Sequence, residues 1–219
     1  MSMTQDQTGW AALLLSLMMI GLYEAWTLRR ERTHPELTAR SAHARMRAVW
    51  AAQLANKAGF EIIAVQTLRN SLMSATIAAS TAALALMGSI SLAGSVVQRG
   101  ALGLDPLQLT PRQAVELLLM LTLFASYVSS AMAMRYFNHA GFIMAMPVES
   151  DARRRFNPMA VSYVQRAGLH YSWGLRFFFM VAPLVVGIVN TPLMPVMMLA
   201  LLAVLQYFDR PAQAGEVPS

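Results

Sequence analysis

The sequence contains no cysteine. That removes disulfides, thiolate metal sites and cysteine nucleophiles together, and it leaves the redox compartment unreadable. Charge is scarce as well, at 13% of residues against roughly 25% in an ordinary soluble domain. There is no glycine-rich phosphate loop and no pair of acids along one helix. The histidines His34, His43, His139 and His170 lack the spacing with another ligand that a metal site needs. Serines in the apolar runs have no histidine at a comparable membrane depth, which excludes a serine triad. A proton relay would need more acids than Glu24 and Glu116, which fall at opposite membrane faces. Of the 17 methionines, Met18, Met19, Met120, Met132, Met197 and Met198 lie inside apolar runs, where methionine fills gaps rather than binding copper. The expectation is a protein that is not an enzyme, with no catalytic residue, metal or cofactor.

What is abundant is apolar surface. Hydrophobic residues make up 56% of the chain, mean hydropathy is +0.45, and the charge-free runs are long. The fold class expected is all-α: a polytopic transmembrane helical bundle. The net charge of +6 would suit nucleic acid, but its distribution argues for membrane orientation instead. Spans are expected at about 10–28, 66–97, 112–137, 173–189 and 192–208, within a single domain over 10–208. Residues 1–9 read as an N-terminal tail and 209–219 as a disordered one. The first ten residues have no basic n-region, so the first apolar run reads as a retained anchor.

The stretch 173–208 decides between five spans and four. As one helix its 36 residues would reach about 54 Å, against a hydrocarbon core of roughly 30 Å. Asn190-Thr191-Pro192 offers a stop, an N-cap and a first-turn proline in succession, and splits it in two. Residues 29–61 hold Arg29, Arg30, Arg32, Arg40, Arg45, Arg47 and Lys57, and residues 138–172 hold Arg153, Arg154, Arg155 and Arg166. The opposite side holds only Arg99 and Arg112, so the positive-inside rule puts the N-terminus outside and the C-terminus in the cytoplasm, in a bacterial inner membrane.

Between the spans, Thr38 or Ser41 can cap a helix running to about Asn56. Its stripe of Ala42, Met46, Val49, Trp50 and Leu54, flanked by Arg40 and Arg47, suits the headgroup region. Its opposite face (Ala44, Ala48, Ala51, Ala55) could instead pack against protein. A second interfacial helix is expected to start at Asn157-Pro158 and stop at Gly168. Lys57-Ala58-Gly59 and Arg166-Ala167-Gly168 hint at a parallel repeat. Thr110-Pro111 reads as a helix start.

The segment 60–97 organises the rest. On a helix, Gln66, Arg69, Asn70, Ser74, Thr76, Ser80 and Thr81 share one face, and Leu68, Leu72, Ala75 and Ala79 the other. Small residues recur at spacing four (Ala75/Ala79/Ala83, Ala78/Ala82 and Ala85/Ser89/Ala93), which lets backbones approach closely in lipid. A central helix, packed on the Ser126/Ser130 face of the third span, is expected.

Residues 64–80, AVQTLRNSLMSATIAAS, resemble the signature of a membrane family catalogued as domain of unknown function 599. Supporting stretches are Tyr23-Glu24-Ala25-Trp26 with His34-Pro35, Arg135-Tyr136-Phe137-Asn138, and Asn157-Pro158 leading to Leu175-Arg176-Phe177. The resemblance covers roughly 20–208. It implies kinship and carries no activity, substrate or cofactor.

The candidate site is a polar cluster at the cytoplasmic ends of the spans: Glu24, Gln66, Arg69, Asn70, Arg135, Asn138, Arg176, with His139 beside them. An arginine in hydrocarbon costs about 2.5–3.5 kcal/mol on insertion scales, so each should meet protein, water or a headgroup. Two uses are open: internal pairing, as of Glu24 with Arg69, or binding of an anion or lipid phosphate. The leading expectation is a self-associating protein or accessory subunit of a larger membrane complex. A small channel or transporter with an anion or anionic-lipid site is the alternative, and an enzyme acting on lipid headgroups comes third. The partners expected are the bilayer, anionic lipid and a second copy or subunit, and not nucleic acid.

Overall fold

The computed structural model describes residues 2–34, 38–97 and 109–209. In chain order the elements are α1 (Ser2–Thr33), α2 (Ala39–Ala55), α3 (Glu61–Val97), α4 (Pro111–Met144), α5 (Asp151–Phe179), α6 (Val181–Val189), a 3-10 turn (Thr191–Leu193) and α7 (Met194–Phe208). No strand occurs among the described residues. Five segments are long and apolar enough to cross a membrane: Asp6–Thr33, Glu61–Ser91, Pro111–Met144, Asp151–Val189 and Thr191–Phe208. The C-terminal tail expected at 209–219 falls outside the described residues beyond Asp209.

The break that makes five segments is where the proline predicted it. Asn190 is extended (φ −150°, ψ 96°) and Pro192 opens the 3-10 turn. Thr191, however, does not cap forward: its hydroxyl turns back and donates to the Gly187 carbonyl at 2.9 Å. A second break, at Met180, was not expected. Pro183 has no N–H for the Phe179 carbonyl, so the ladder stops there and restarts as α6.

Two other expectations fail. Gly168 does not stop a helix, and Asn157-Pro158 does not start one. Both lie inside α5, whose N-cap is Ser150: its Oγ accepts the Arg153 N–H at 3.2 Å. The proposed repeat fails with them, because Gly59 ends a turn at φ +84° while Gly168 is mid-helix. At the start of α4, Thr110 and Gln113 form a reciprocal capping box. The Thr110 N–H donates to Gln113 Oε1 at 2.9 Å and the Gln113 N–H to Thr110 Oγ1 at 3.3 Å.

The chain forms two compact units, residues 1–43, 102–119 and 180–219, and residues 44–101 and 120–179. In the first, Met198, Leu201 and Leu205 of α7 pack on Met19, Ile20 and Tyr23 of α1. Asp209 fastens the end of α7. It accepts the Tyr23 hydroxyl at 2.8 Å, and its carbonyl accepts the Ala39 N–H at 3.3 Å.

In the second unit α2, α3, α4 and α5 share one core, built from Ala51, Ala55, Leu68, Phe137, Met144, Val164 and their neighbours. The alanine face of α2 packs inward at Ala51 and Ala55, joined by Trp50 and Leu54 from the other stripe, while Met46 and Val49 stay exposed. α3 buries one stripe, Ala64, Leu68, Ala75, Ala79 and Ala82. That is the face the periodicity selected. The helix is not central, though, because Ile63, Met73, Ile77, Leu84 and Ile90 are exposed. Nor does it cover Ser126 and Ser130. Ser126 Oγ donates to the Gly174 carbonyl of α5 at 2.8 Å, and a Cβ at Gly174 would meet Ser130 Oγ at 2.5 Å.

Candidate functional site

The site lies in the second unit and begins with how α2 is held. Asn157, on α5, donates through Nδ2 to the Ala55 carbonyl and to Asn56 Oδ1, both at 3.1 Å, and so closes the C-terminus of α2. Arg153, fully buried one turn earlier, donates from Nε to Asn157 Oδ1 at 2.7 Å. Its other nitrogens reach the Ile143 carbonyl and Met144 Sδ at the end of α4. A guanidinium suits that place, since the last carbonyls of a helix are unpaired and carry partial negative charge.

With α2 fixed, Arg47 is directed at α5. Its guanidinium lies on Gly168, and a Cβ there would overlap Nε and Cζ. Arg47 Nε is buried and has no hydrogen-bond partner, and Arg47 takes part in no ion pair among the described residues. Burial pushes its pKa down, because taking the charged form out of water is unfavourable. Beside it is a cavity of about 230 Å³, lined by Met46, Arg47 and Trp50 of α2, Thr67, Leu68 and Ser71 of α3, Phe137 and Val164. Thr67 and Ser71 donate to carbonyls four residues back in their own helix, at 2.9 and 3.1 Å. Arg47 is therefore the cation of this cavity, and no acid, histidine or lysine lines it. Such a site can hold an anion.

The residues expected to form the site are distributed differently. Gln66, Arg69 and Asn70 on α3 and Arg135, Asn138 and His139 on α4 are exposed. Arg176 is buried. Glu24 belongs to the first unit, where Arg40 Nη2 lies 3.9 Å from it and Arg40 Nε 3.0 Å from Glu31. Glu24 thus has Arg40 as a cationic partner, and Arg69 makes no ion pair among the described residues. No cluster of three or more metal-ligating side chains occurs among the described residues. Around His139 the geometry is aromatic: its ring lies 5.8 Å from Tyr163, which packs on Tyr136, which stacks on His170 at 5.6 Å.

Arg47, Thr67 and Ser71 are the residues that sequence reasoning missed. Arg47 was visible only as a flank of the α2 stripe. Its distinguishing contact, with Gly168, joins positions far apart in sequence.

These features define the class: a multi-pass helical membrane protein. The chain belongs to the family described as Protein of unknown function, DUF599, whose profile matches residues 11–214. No curated protein and no solved structure matches it.

Proposed function

We propose that this protein is a non-catalytic membrane protein that binds an oxyanion, a phosphate or carboxylate group, against Arg47. One observation carries the reading: a buried guanidinium nitrogen without a partner, in a side chain that lines a cavity. A buried donor left unpaired costs about 1–3 kcal/mol, more for a charged group. An oxyanion offers the acceptors that this donor lacks, in the planar geometry that guanidinium forks suit. By the positive-inside rule the site faces the cytoplasm, with the N-terminus outside and the C-terminus inside, and a bacterial inner membrane fits that arrangement.

Inorganic phosphate tests it directly. At matched ionic strength, phosphate should raise the melting temperature of the detergent-solubilised protein where chloride does not. Arg47→Gln should abolish the rise, and Arg47→Lys should keep part of it, having charge without the fork. No rise in the wild type, or an equal rise in Arg47→Gln, overturns the proposal.

Self-association is a second reading, favoured by the exposed polar face of α3. Gln66, Arg69, Asn70, Thr76, Ser80 and Thr81 are all exposed on a candidate span. Polar side chains at membrane depth are rarely left to lipid, and a second copy or another subunit would cover them.

A further inference from the structure

We infer that the anion held by Arg47 is the headgroup of an acyl lipid whose chain lies along the seam between α3 and α5. The inference rests on the anion-binding reading and names its ligand class. Two cavities share this seam. The first is the one at Arg47, lined by Thr67 and Ser71 on α3 and by Val164 on α5. The second, about 330 Å³, is lined by Ser74, Ile77, Ala78 and Thr81 on α3 and by Tyr171, Leu175 and Phe178 on α5.

The positions follow one helical stripe on each side. On α3 they run 67, 71, 74, 78, 81, and on α5 164, 171, 175, 178, the same three-and-four spacing that keeps residues on one face. Both helices present their residues in the same order, so the two helices run parallel along the seam. Gly168 falls on the α5 stripe between Val164 and Tyr171, and it is the residue on which the Arg47 guanidinium rests. The cation therefore rests on the α5 stripe between Val164 of the first cavity and Tyr171 of the second.

The second cavity is chemically a place for a hydrocarbon chain. Its Ser74 and Thr81 hydroxyls donate to the Asn70 and Ile77 carbonyls of their own helix, so their protons are not offered to a ligand. The remainder of the lining is aliphatic and aromatic. From Ser74 to Thr81 the second cavity extends about 10 Å along α3, within the roughly 15 Å of one leaflet. A cation beside an apolar cavity that takes part of an acyl chain matches an anionic lipid, whereas a free anion would use only the first cavity.

The test uses the full chain in phosphatidylcholine nanodiscs. Three probes are compared: inorganic phosphate, a phosphatidate with six-carbon chains, and one with sixteen-carbon chains. With affinities taken per mole fraction of probe in the bilayer, so that partitioning from water cancels, the long-chain phosphatidate should bind at least about tenfold tighter than the short. Ala78→Phe, which fills the second cavity, should cut that gain to below about threefold. As a control that does not depend on folding of the variant, a long-chain phosphatidate carrying a terminal diazirine is also photolysed with the wild type. Its crosslinks should fall on residues 74–81 and 171–178.

Binding of phosphate without a chain-length gain overturns the acyl inference and leaves the anion reading intact. So do crosslinks spread over other exposed apolar positions such as Leu84 and Leu199. Failure of all three probes to bind, or binding that Arg47→Gln does not weaken, overturns the anion reading itself.

Discussion

Arg153 and Asn157 lie one turn apart on α5 and are joined by a 2.7 Å hydrogen bond between Nε and Oδ1. From that bond the pair reaches in two directions, Arg153 to the end of α4 and Asn157 to the end of α2. Two helix C-termini, each with carbonyls that have no partner in their own helix, are closed by one pair of side chains.

The pair should therefore behave as a unit. Asn157→Ala leaves the Ala55 carbonyl and the Arg153 Nε short of a partner, at a cost of about 1–3 kcal/mol. Arg153→Met removes charge-assisted bonds worth about 1.5–3 kcal/mol each. The double variant should lose less than the sum, with a coupling of about 0.5–3 kcal/mol. Chemical unfolding of the four proteins in detergent measures it, and strict additivity would mean that the two residues act separately.

The polar face of α3 gives the second prediction. With no native cysteine, a single introduced thiol reports contacts between copies without background. Ser80→Cys should yield a disulfide-linked dimer on mild oxidation in native membranes, and Leu199→Cys, on an exposed apolar position of α7, should not. A monomer in both cases removes self-association through this face.

Much of the fold was legible in sequence because it follows from period and from proline. The apolar stripe of α3 was found through its spacing, and the break at residue 190 through Pro192. What stayed hidden depends on which distant residues meet. Asn157-Pro158 looks like a helix start and Gly168 like a stop, since local rules cannot know that Asn157 is engaged with α2 or that Gly168 makes room for Arg47. The polar cluster was less legible for another reason. The cost of arginine in lipid asks only that each meet protein, water or a headgroup, and Gln66, Arg69 and Asn70 are exposed within about 14 Å of the α3 N-terminus. At that depth long side chains can extend back toward water.

Orientation is tested by reporters. Fusions at Asp105 and at Ser219 should report opposite sides of the membrane, with Ser219 cytoplasmic, as the charge asymmetry requires. The same side for both would mean that one of the five segments does not cross.

The last prediction separates ligand binding from folding with two glycines of one helix. Gly168 and Gly174 both lie in α5, and both are helical positions where alanine is intrinsically favoured by about 0.5–1 kcal/mol. Their neighbours differ. A Cβ at Gly174 would meet Ser130 Oγ at 2.5 Å and the Ser130 backbone nitrogen at 3.2 Å. Backbone cannot step aside, so α4 and α5 must separate, and overpacking of this kind costs about 1–3 kcal/mol. A Cβ at Gly168 meets only the far end of the Arg47 side chain, which can swing away through several rotatable bonds. Gly174→Ala should therefore lower the melting temperature. Gly168→Ala should melt close to the wild type while weakening the response to phosphate about tenfold, because the Arg47 guanidinium no longer rests on α5 beside its cavity. A Gly168→Ala protein with wild-type stability and an undiminished phosphate response would show that Arg47 need not rest on α5 to bind its anion.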